Sequence, residues 1–346
     1  MRTPIPIRPP PASKGGNNGV SRDLLDQLEA RVVGQPLALR EIVPYIRMHR
    51  AGLAPDGRPV GVFLLLGPTG TGKTRTVEAL AEVLHGSERN MLKIDCGEFQ
   101  MEHEVAKLIG APPGYLGHRE TQPLITQQKL NSVTSESSNL SLLLFDEIEK
   151  AAPSMTRLLM GVLDKATLRL GDNTGVSFDR TLILLTSNLG AEEMRKQLTP
   201  DFGFEAMAPR APGAGTAGKL QSIGWAAVKR RFSPEFVNRI DAVITYQPLD
   251  GVAMEAILEQ QIAALRKHIQ DRLEERAFEI EVTPEARELL LRKGTSVEFG
   301  ARELKRVILR LITQPLAAMV EQGHVTPDSC VVVACDADRL VLEVKV

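Results

Sequence analysis

Aromatic side chains make up only 4 % of this sequence, cysteine occurs three times, and neither sign of charge dominates. Cys96, Cys330 and Cys335 are too few and too unevenly spaced for a disulfide framework or a zinc site. They read as small apolar residues of a reducing compartment, with Cys330 and Cys335 an odd number of residues apart in a strand-like stretch and so on opposite faces. Lys and Arg number 42 against 43 Asp and Glu, a formal net charge of −1. Without a basic excess or a long basic run, a nucleic-acid substrate is disfavoured. No apolar stretch is long enough to cross a bilayer, and the Pro-rich start from Met1 to Pro11 lacks the apolar core of a secretory signal. The expectation is a soluble globular protein of a bacterial-type cytoplasm with no membrane partner. Its 346 residues leave room for more than one domain.

Against that aromatic scarcity, Tyr115 stands out in Gly110-Ala111-Pro112-Pro113-Gly114-Tyr115-Leu116-Gly117. The prolines lack donors and the glycines leave the backbone unconstrained, so the stretch suits neither helix nor ladder. Either the ring is presented to a partner, or the loop is an ordinary turn whose Tyr packs back on the core.

What surrounds this loop carries chemistry. Upstream, Gly67-Pro68-Thr69-Gly70-Thr71-Gly72-Lys73-Thr74 follows the apolar run Val62 to Leu66 and leads into the helical stretch Thr76 to Leu84. In that strand, loop and helix context the loop amides and the helix N-terminus cradle phosphate oxygens. Lys73 then reaches the β and γ phosphates, and the Thr74 hydroxyl ligates Mg²⁺. The competing reading is a Gly-rich turn without nucleotide. Downstream, Leu140 to Phe145 reads as a strand buried on both faces and ends in Asp146-Glu147. Asp146 is assigned to the Mg²⁺ shell and Glu147 to polarising an attacking water, unless the pair merely marks an acidic helix start. A third buried strand, Thr181 to Thr186, ends in Ser187-Asn188. The Asn188 amide can orient the water and feel the γ phosphate, or be a plain turn Asn before Gly190.

These pieces carry a resemblance. From Arg31-Val32-Val33-Gly34-Gln35 to its end, the chain resembles the AAA+ module of the Clp unfoldases and disaggregases, most closely the second module of two-module members. The specific matches are Gly110 to Gly117, Leu144-Phe145-Asp146-Glu147-Ile148-Glu149-Lys150, Thr186 to Gly190, Phe232 to Asp241, and Phe299-Gly300-Ala301-Arg302-Glu303-Leu304. The resemblance implies that Val32 and Val33 line the adenine pocket, that Gly67 to Thr74 is the Walker A loop, and that Asp146 and Glu147 are the Walker B pair. It also implies that Asn188 is the first sensor, Arg302 the second sensor, and Arg239 an arginine finger acting on the adjacent subunit. Gly114, Tyr115, Leu116 and Gly117 would form the pore loop, with Tyr115 gripping an extended polypeptide. Cofactors would be ATP and Mg²⁺, and the assembly a homohexamer. Without the resemblance, the competing reading of each arginine is a surface ion pair.

The fold class that follows is α/β: a doubly wound parallel P-loop sheet with a small C-terminal α+β lid. Residues 1–20, rich in Pro, Gly and Asn, read as a flexible arm, residues 21–248 as the large nucleotide-binding domain and residues 249–346 as the lid. Ser21 is expected to cap a helix bearing Leu24, Leu25 and Leu28. Ser132 to Asn139 reads as a surface loop and Pro200 to Gly218 as an irregular segment. Within the latter, Phe202-Gly203-Phe204 resembles the tripeptide that docks a peptidase ring, or packs locally on the surface. In the lid, Ile257, Ile262, Leu265 and Ile269 mark a long helix, Phe278 to Val282 a short strand, Leu304 to Ile312 a helix, and Val331 to Val333 and Leu340 to Leu342 two closing strands. ATP should close the hinge near Pro248 and hydrolysis release it, dragging Tyr115 along the ring axis.

The sequence holds no counterpart of the relatives' substrate-binding domain, first ATPase module or coiled-coil middle domain. Substrate choice is accordingly expected from the arm, an adaptor or the pore. Three functions stay open at this point: a polypeptide unfoldase or translocase, a nucleic-acid motor or clamp-loading ATPase, and an assembly factor that uses ATP to set its oligomeric state. A nucleic-acid motor would want Lys or Arg in the pore loop where Tyr115 stands.

Overall fold

A computed structural model describes residues 23–110, 122–198, 214–295, 300–327 and 329–345. Gly114, Tyr115, Leu116 and Gly117, Phe202-Gly203-Phe204, Phe299 and the N-terminal arm, all given roles above, lie outside the described residues.

The chain opens with α1 (Leu24–Glu29) and α2 (Pro36–Arg50), then alternates strands and helices: β1 (Gly61–Leu66), α3 (Lys73–His85), β2 (Leu92–Asp95), α4 (Val105–Ile109), α5 (Gln127–Ser132), β3 (Ser141–Asp146) and α6 (Pro153–Lys165). A hairpin of β4 (Thr167–Arg169) and β5 (Gly175–Ser177) precedes β6 (Thr181–Ser187), α7 (Ala191–Leu198), α8 (Ala214–Arg231), α9 (Pro234–Val237) and β7 (Ala242–Thr245). The main sheet runs β2-β3-β6-β1-β7, with every neighbouring pair parallel.

Its central strands read as unbroken apolar runs because both faces are covered. Val62, Leu64 and Leu66 enter one core with Phe145 and Ile183, while Phe63 and Leu65 enter the opposite core with Leu144 and Leu184. The polar residues at the strand tips, Asp146 on β3 and Ser187 on β6, therefore gather at one edge, beside the loop that leaves Leu66. That edge is where ligands bind in open α/β sheets.

After the linker through Pro248, α10 (Gly251–Leu273), β8 (Glu279–Val282), α11 (Pro284–Gly294), α12 (Ala301–Ile308), a π turn (Leu309–Thr313), α13 (Gln314–Glu321), β9 (Cys330–Asp336) and β10 (Arg339–Lys345) build a second unit. Its sheet, β10-β9-β8, joins an antiparallel and a parallel pair. Met254, Leu258, Ile262, Ile280, Leu304 and Val331 belong to its separate core.

Two expectations are corrected. The first helix starts at Leu24, with Asp23 and not Ser21 at its N-cap; Asp23 instead holds Arg47 at 2.5 Å. Within the segment read as irregular, α8 already begins at Ala214, so that Gly218 is helical. Between α5 and β3, Ser135 and Ser138 form an isolated bridge, and the Ser135 and Ser137 hydroxyls donate to the Leu84 carbonyl.

Candidate functional site

Leu66 delivers the chain into a loop whose backbone turns into the glycine-favouring region at three points, Gly67, Gly70 and Gly72. Gly67 has φ 144°, and a Cβ there would stand 3.0 Å from the Tyr246 carbonyl oxygen; Gly72, at φ 102°, turns the loop into α3. No side chain caps the first turn of this 13-residue helix, so its leading N–H groups face the loop's concavity unpaired by a cap. Lys73 is buried and its ammonium is held over the loop, donating to the carbonyls of Gly67 at 2.6 Å and Pro68 at 2.9 Å and to Asn188 Oδ1 at 2.9 Å. Burial drives its pKa down to about 8, and Arg302 adds to the fall against the pull of Glu149, Asp146 and Glu147. A buried cation with only neutral acceptors is poised to gain an anionic partner.

At the strand tips the carboxylates are wired to each other's neighbours. Thr186 Oγ1 accepts from the Glu147 N–H at 3.0 Å and donates to Asp146 Oδ1 at 2.5 Å. The second Asp146 oxygen meets Lys93 Nζ at 2.7 Å. Burial would raise the Asp146 pKa, but these hydrogen bonds from Lys93 and Thr186 prevail and hold it below the ordinary carboxylate value. Glu147 sits at φ 56°, a left-handed conformation that is strained for a non-glycine residue. Its Oε1 accepts from Asn188 Nδ2 at 3.1 Å and its Oε2 meets Lys150 Nζ at 2.5 Å. The Asn188 amide thus bridges the loop cation and the Glu147 carboxylate, while its own N–H is fixed by Glu149 Oε1 at 3.0 Å.

A cleft of about 520 Å³ gathers these groups. Thr69, Gly70, Thr71, Gly72, Lys73 and Thr74 form its floor, Asp146, Glu147 and Asn188 one wall, and Val32 and Val33 another. Leu249, Ile257, Gln260 and Gln261 close it from the linker and α10, and Arg302 and Lys305 come from α12. The second unit touches the loop directly, because the Ala301 N–H donates to the Gly70 carbonyl at 3.2 Å. Gly300 permits that approach: its φ is 50°, and a Cβ there would lie 2.8 Å from the Gly70 oxygen. Arg239 is the one predicted charged residue that does not line the cleft. It donates to the Glu235 carbonyl at 2.6 Å and stands 3.7 Å from Asp164.

Several residues at the site lie beyond the sequence reading. Lys93 is one; a Lys in a short strand beside two apolar residues was the only available signal. Gln35 is 4 % exposed, donates to the carbonyls of Thr71 and Gln247, and accepts from the Gln247 N–H. It therefore ties the phosphate loop to the linker between the two units. Arg231 donates to the Glu149 and Ala151 carbonyls, fixing the turn that carries Glu149.

A glycine-built loop at the start of a helix, a buried lysine over it and an Asp-Glu pair at the adjoining strand tip define a P-loop nucleotide-binding protein. The chain belongs to the AAA family, since residues 58–243 match the AAA domain (Cdc48 subfamily). Residues 249–333 match the C-terminal, D2-small domain of ClpB protein. The chain is 39 % identical over 302 residues to the chaperone protein ClpB of Meiothermus ruber, covering 87 % of this chain and 33 % of that protein. With ClpB of Aquifex aeolicus it shares 39 % over 310 residues, 90 % of this chain and 29 % of the relative. It spans about a third of the length of the curated relatives it matches. Among solved structures, Hsp104 with ATPγS and FITC-casein in a closed state superposes with a TM-score of 0.76 at 29 % identity, over 93 % of this chain and 51 % of that one. The same figures hold for an extended S. cerevisiae Hsp104:casein complex.

Proposed function

We propose that this chain is an ATP-driven protein unfoldase or translocase, working as a ring of identical subunits through whose axis polypeptide is threaded. The observation that carries this reading is the cleft itself: Lys73, Asp146 and Asn188 approach it from the parallel sheet, Arg302 and Lys305 from the second unit. The likeness to Hsp104 bound to casein supports polypeptide as the substrate class. The fit to a triphosphate rests on the uncapped start of α3 and the neutral partners of Lys73. Thr74 and Asp146 offer the hard oxygens Mg²⁺ requires; the described residues hold no cluster of three or more His, Cys, Asp or Glu, so phosphates and water would complete the shell. Mg²⁺ bound there would neutralise phosphate charge. Val32, Val33 and Ile257 supply apolar walls for the base, Asn188 and Glu147 hold and polarise the attacking water, and Arg302 offsets charge developing on the γ phosphate. A cytoplasmic site of action is proposed on the likeness to ClpB; no helix of the described residues is long and apolar enough to cross a membrane.

Because Arg302 and Lys73 belong to different units, nucleotide holds the two together and its loss frees them. Gly300→Ala is expected to act on this coupling. The added methyl meets the Gly70 carbonyl, and alanine tolerates the backbone at φ 50° poorly. ATP affinity should fall about tenfold with a thermal midpoint moved by only a few degrees. Calorimetric binding and a melting curve on the same sample check this, and an unchanged affinity removes the contact from the mechanism.

Lys73 sets a pH dependence. Its pKa is about 8 with the phosphates absent and rises once an anion sits beside it. Nucleotide affinity is therefore complete below about pH 8 and declines as pH climbs from there toward the bound-state pKa, and binding at pH 8 takes up about half a proton. Titration calorimetry in buffers of different ionisation enthalpy reads that uptake directly; a proton release would reverse the assignment.

The polypeptide reading is tested by comparing basal ATP hydrolysis with hydrolysis in the presence of unfolded casein and, separately, of single-stranded DNA. Casein should stimulate and DNA should not; stimulation by DNA alone would end the unfoldase reading. Tyr115→Ala should keep basal hydrolysis and lose unfolding of a tagged fluorescent substrate. Unimpaired unfolding by that variant would sink the pore-loop role proposed for Gly114 to Gly117. A docked peptidase is proposed on Phe202-Gly203-Phe204 alone, and an adaptor only as one route of substrate choice beside the N-terminal arm and the pore.

A further inference from the structure

Asp146 has two carboxylate oxygens and both are engaged. Oδ1 accepts from Thr186, a neutral hydroxyl from the neighbouring strand β6, whereas Oδ2 faces the ammonium of Lys93 at 2.7 Å. Lys93 comes from β2 on the other side, two residues before Asp95, which the parallel register sets beside Asp146. The Lys93 side chain is 44 % exposed and lines the cleft; the Asp146 side chain is only 20 % exposed. Asp95 stands beside Asp146 in that register and Glu147 follows it in the chain, so the Lys93 ammonium is set among carboxylates at the strand tips.

A divalent cation bound by Thr74 and Asp146 needs a carboxylate oxygen that Lys93 now covers. Two cations on one oxygen repel, so one must leave, and Lys93 has solvent to move into. We propose that Lys93 is a built-in counter-cation that holds Asp146 Oδ2 until Mg²⁺ arrives with the nucleotide, and thereby sets the Mg²⁺ concentration at which the site loads. Lys93 is a positioning residue in this scheme, keeping the Asp146 carboxylate aimed while the site waits. The inference rests on the nucleotide reading above and deepens it.

The test is equilibrium binding of a fluorescent ATP analogue to the full chain, at fixed analogue and with free Mg²⁺ buffered over a wide range. A partly exposed pair is worth up to about 1 kcal/mol, so Lys93→Met should reach half-maximal Mg²⁺-dependent binding at about fivefold less Mg²⁺ than the wild type. Lys93→Arg restores the cation and should return the Mg²⁺ requirement to near the wild-type value. In an Asp146→Asn background, adding Lys93→Met should leave the requirement where it was, because the paired charge is already gone. A Mg²⁺ requirement in Lys93→Met equal to or above that of the wild type overturns the proposal while the nucleotide site stands. A wild-type chain that binds no analogue, with Lys73→Ala indistinguishable from it, overturns the nucleotide reading and this inference with it.

Discussion

Glu147→Gln is expected to lower the maximal rate of ATP hydrolysis by about 10²–10⁴-fold while ATP still binds. The two acidic residues at the tip of β3 differ in what surrounds them. Asp146 is clamped from both sides by Thr186 and Lys93, which leaves it a charge to be shared with a cation and not a base to take a proton. Glu147 faces the cleft through a carboxylate whose partners are an amide and a lysine one turn away, both able to shift. Glutamine keeps the length of the side chain and an oxygen for Asn188 Nδ2 but loses the charge that polarises water. Phosphate release measured beside fluorescent-nucleotide binding separates the two effects, since a loss of about 10³ in rate corresponds to about 4 kcal/mol of transition-state stabilisation. A variant that hydrolyses within twofold of the wild type would move the base elsewhere, with Glu149 next in line because its buried Oε2 has no hydrogen-bond partner.

Much of this site is legible from the sequence because its main strands are buried on both faces. Covering both faces forces apolar residues into unbroken runs, so β1, β3 and β6 announce themselves, and polar residues at their C-terminal tips stand out as the place where the runs stop. The loop before Lys73 is legible for a different reason: left-handed turns at fixed spacing demand glycine whatever lies around them. Lys93 and Gln35 are invisible for the converse reason. Their meaning depends on which strand lies beside which, and on a linker more than two hundred residues away in sequence, neither of which any local pattern encodes. The start of α8 is not legible because its glycines lower helix propensity, while packing decides the outcome. At Gly224 an absent Cβ lets Met194 and Leu66 come within about the distance a methyl would occupy, 2.9 and 3.3 Å from its ideal position. Ser21 was a sound cap by type, but the helix begins where Asp23 pairs with Arg47 and Leu24 and Leu28 find the core.

The other large effect is predicted at Arg239, and the structure shapes how it must be tested. In its own chain Arg239 points at the Glu235 carbonyl and Asp164, and it is not among the residues that line the cleft. A guanidinium outside its own nucleotide site can contribute to hydrolysis only at a neighbour's, which is what a head-to-tail ring provides. Arg239→Ala is accordingly expected to reduce turnover by about 10³–10⁵-fold with ATP binding intact in the isolated chain. Loss of rate alone does not distinguish a finger in trans from a collapsed α9, since both oligomer and turn could suffer. Mixing does. Glu147→Gln chains lack the base but carry an intact Arg239, and Arg239→Ala chains the reverse. Random assortment in a ring gives roughly a quarter of the interfaces a complete set of groups, so two inactive preparations should recover roughly a quarter of the wild-type rate on mixing. A finger acting within its own chain predicts no recovery at any ratio, and that result would take the ring out of the catalytic cycle proposed for this protein.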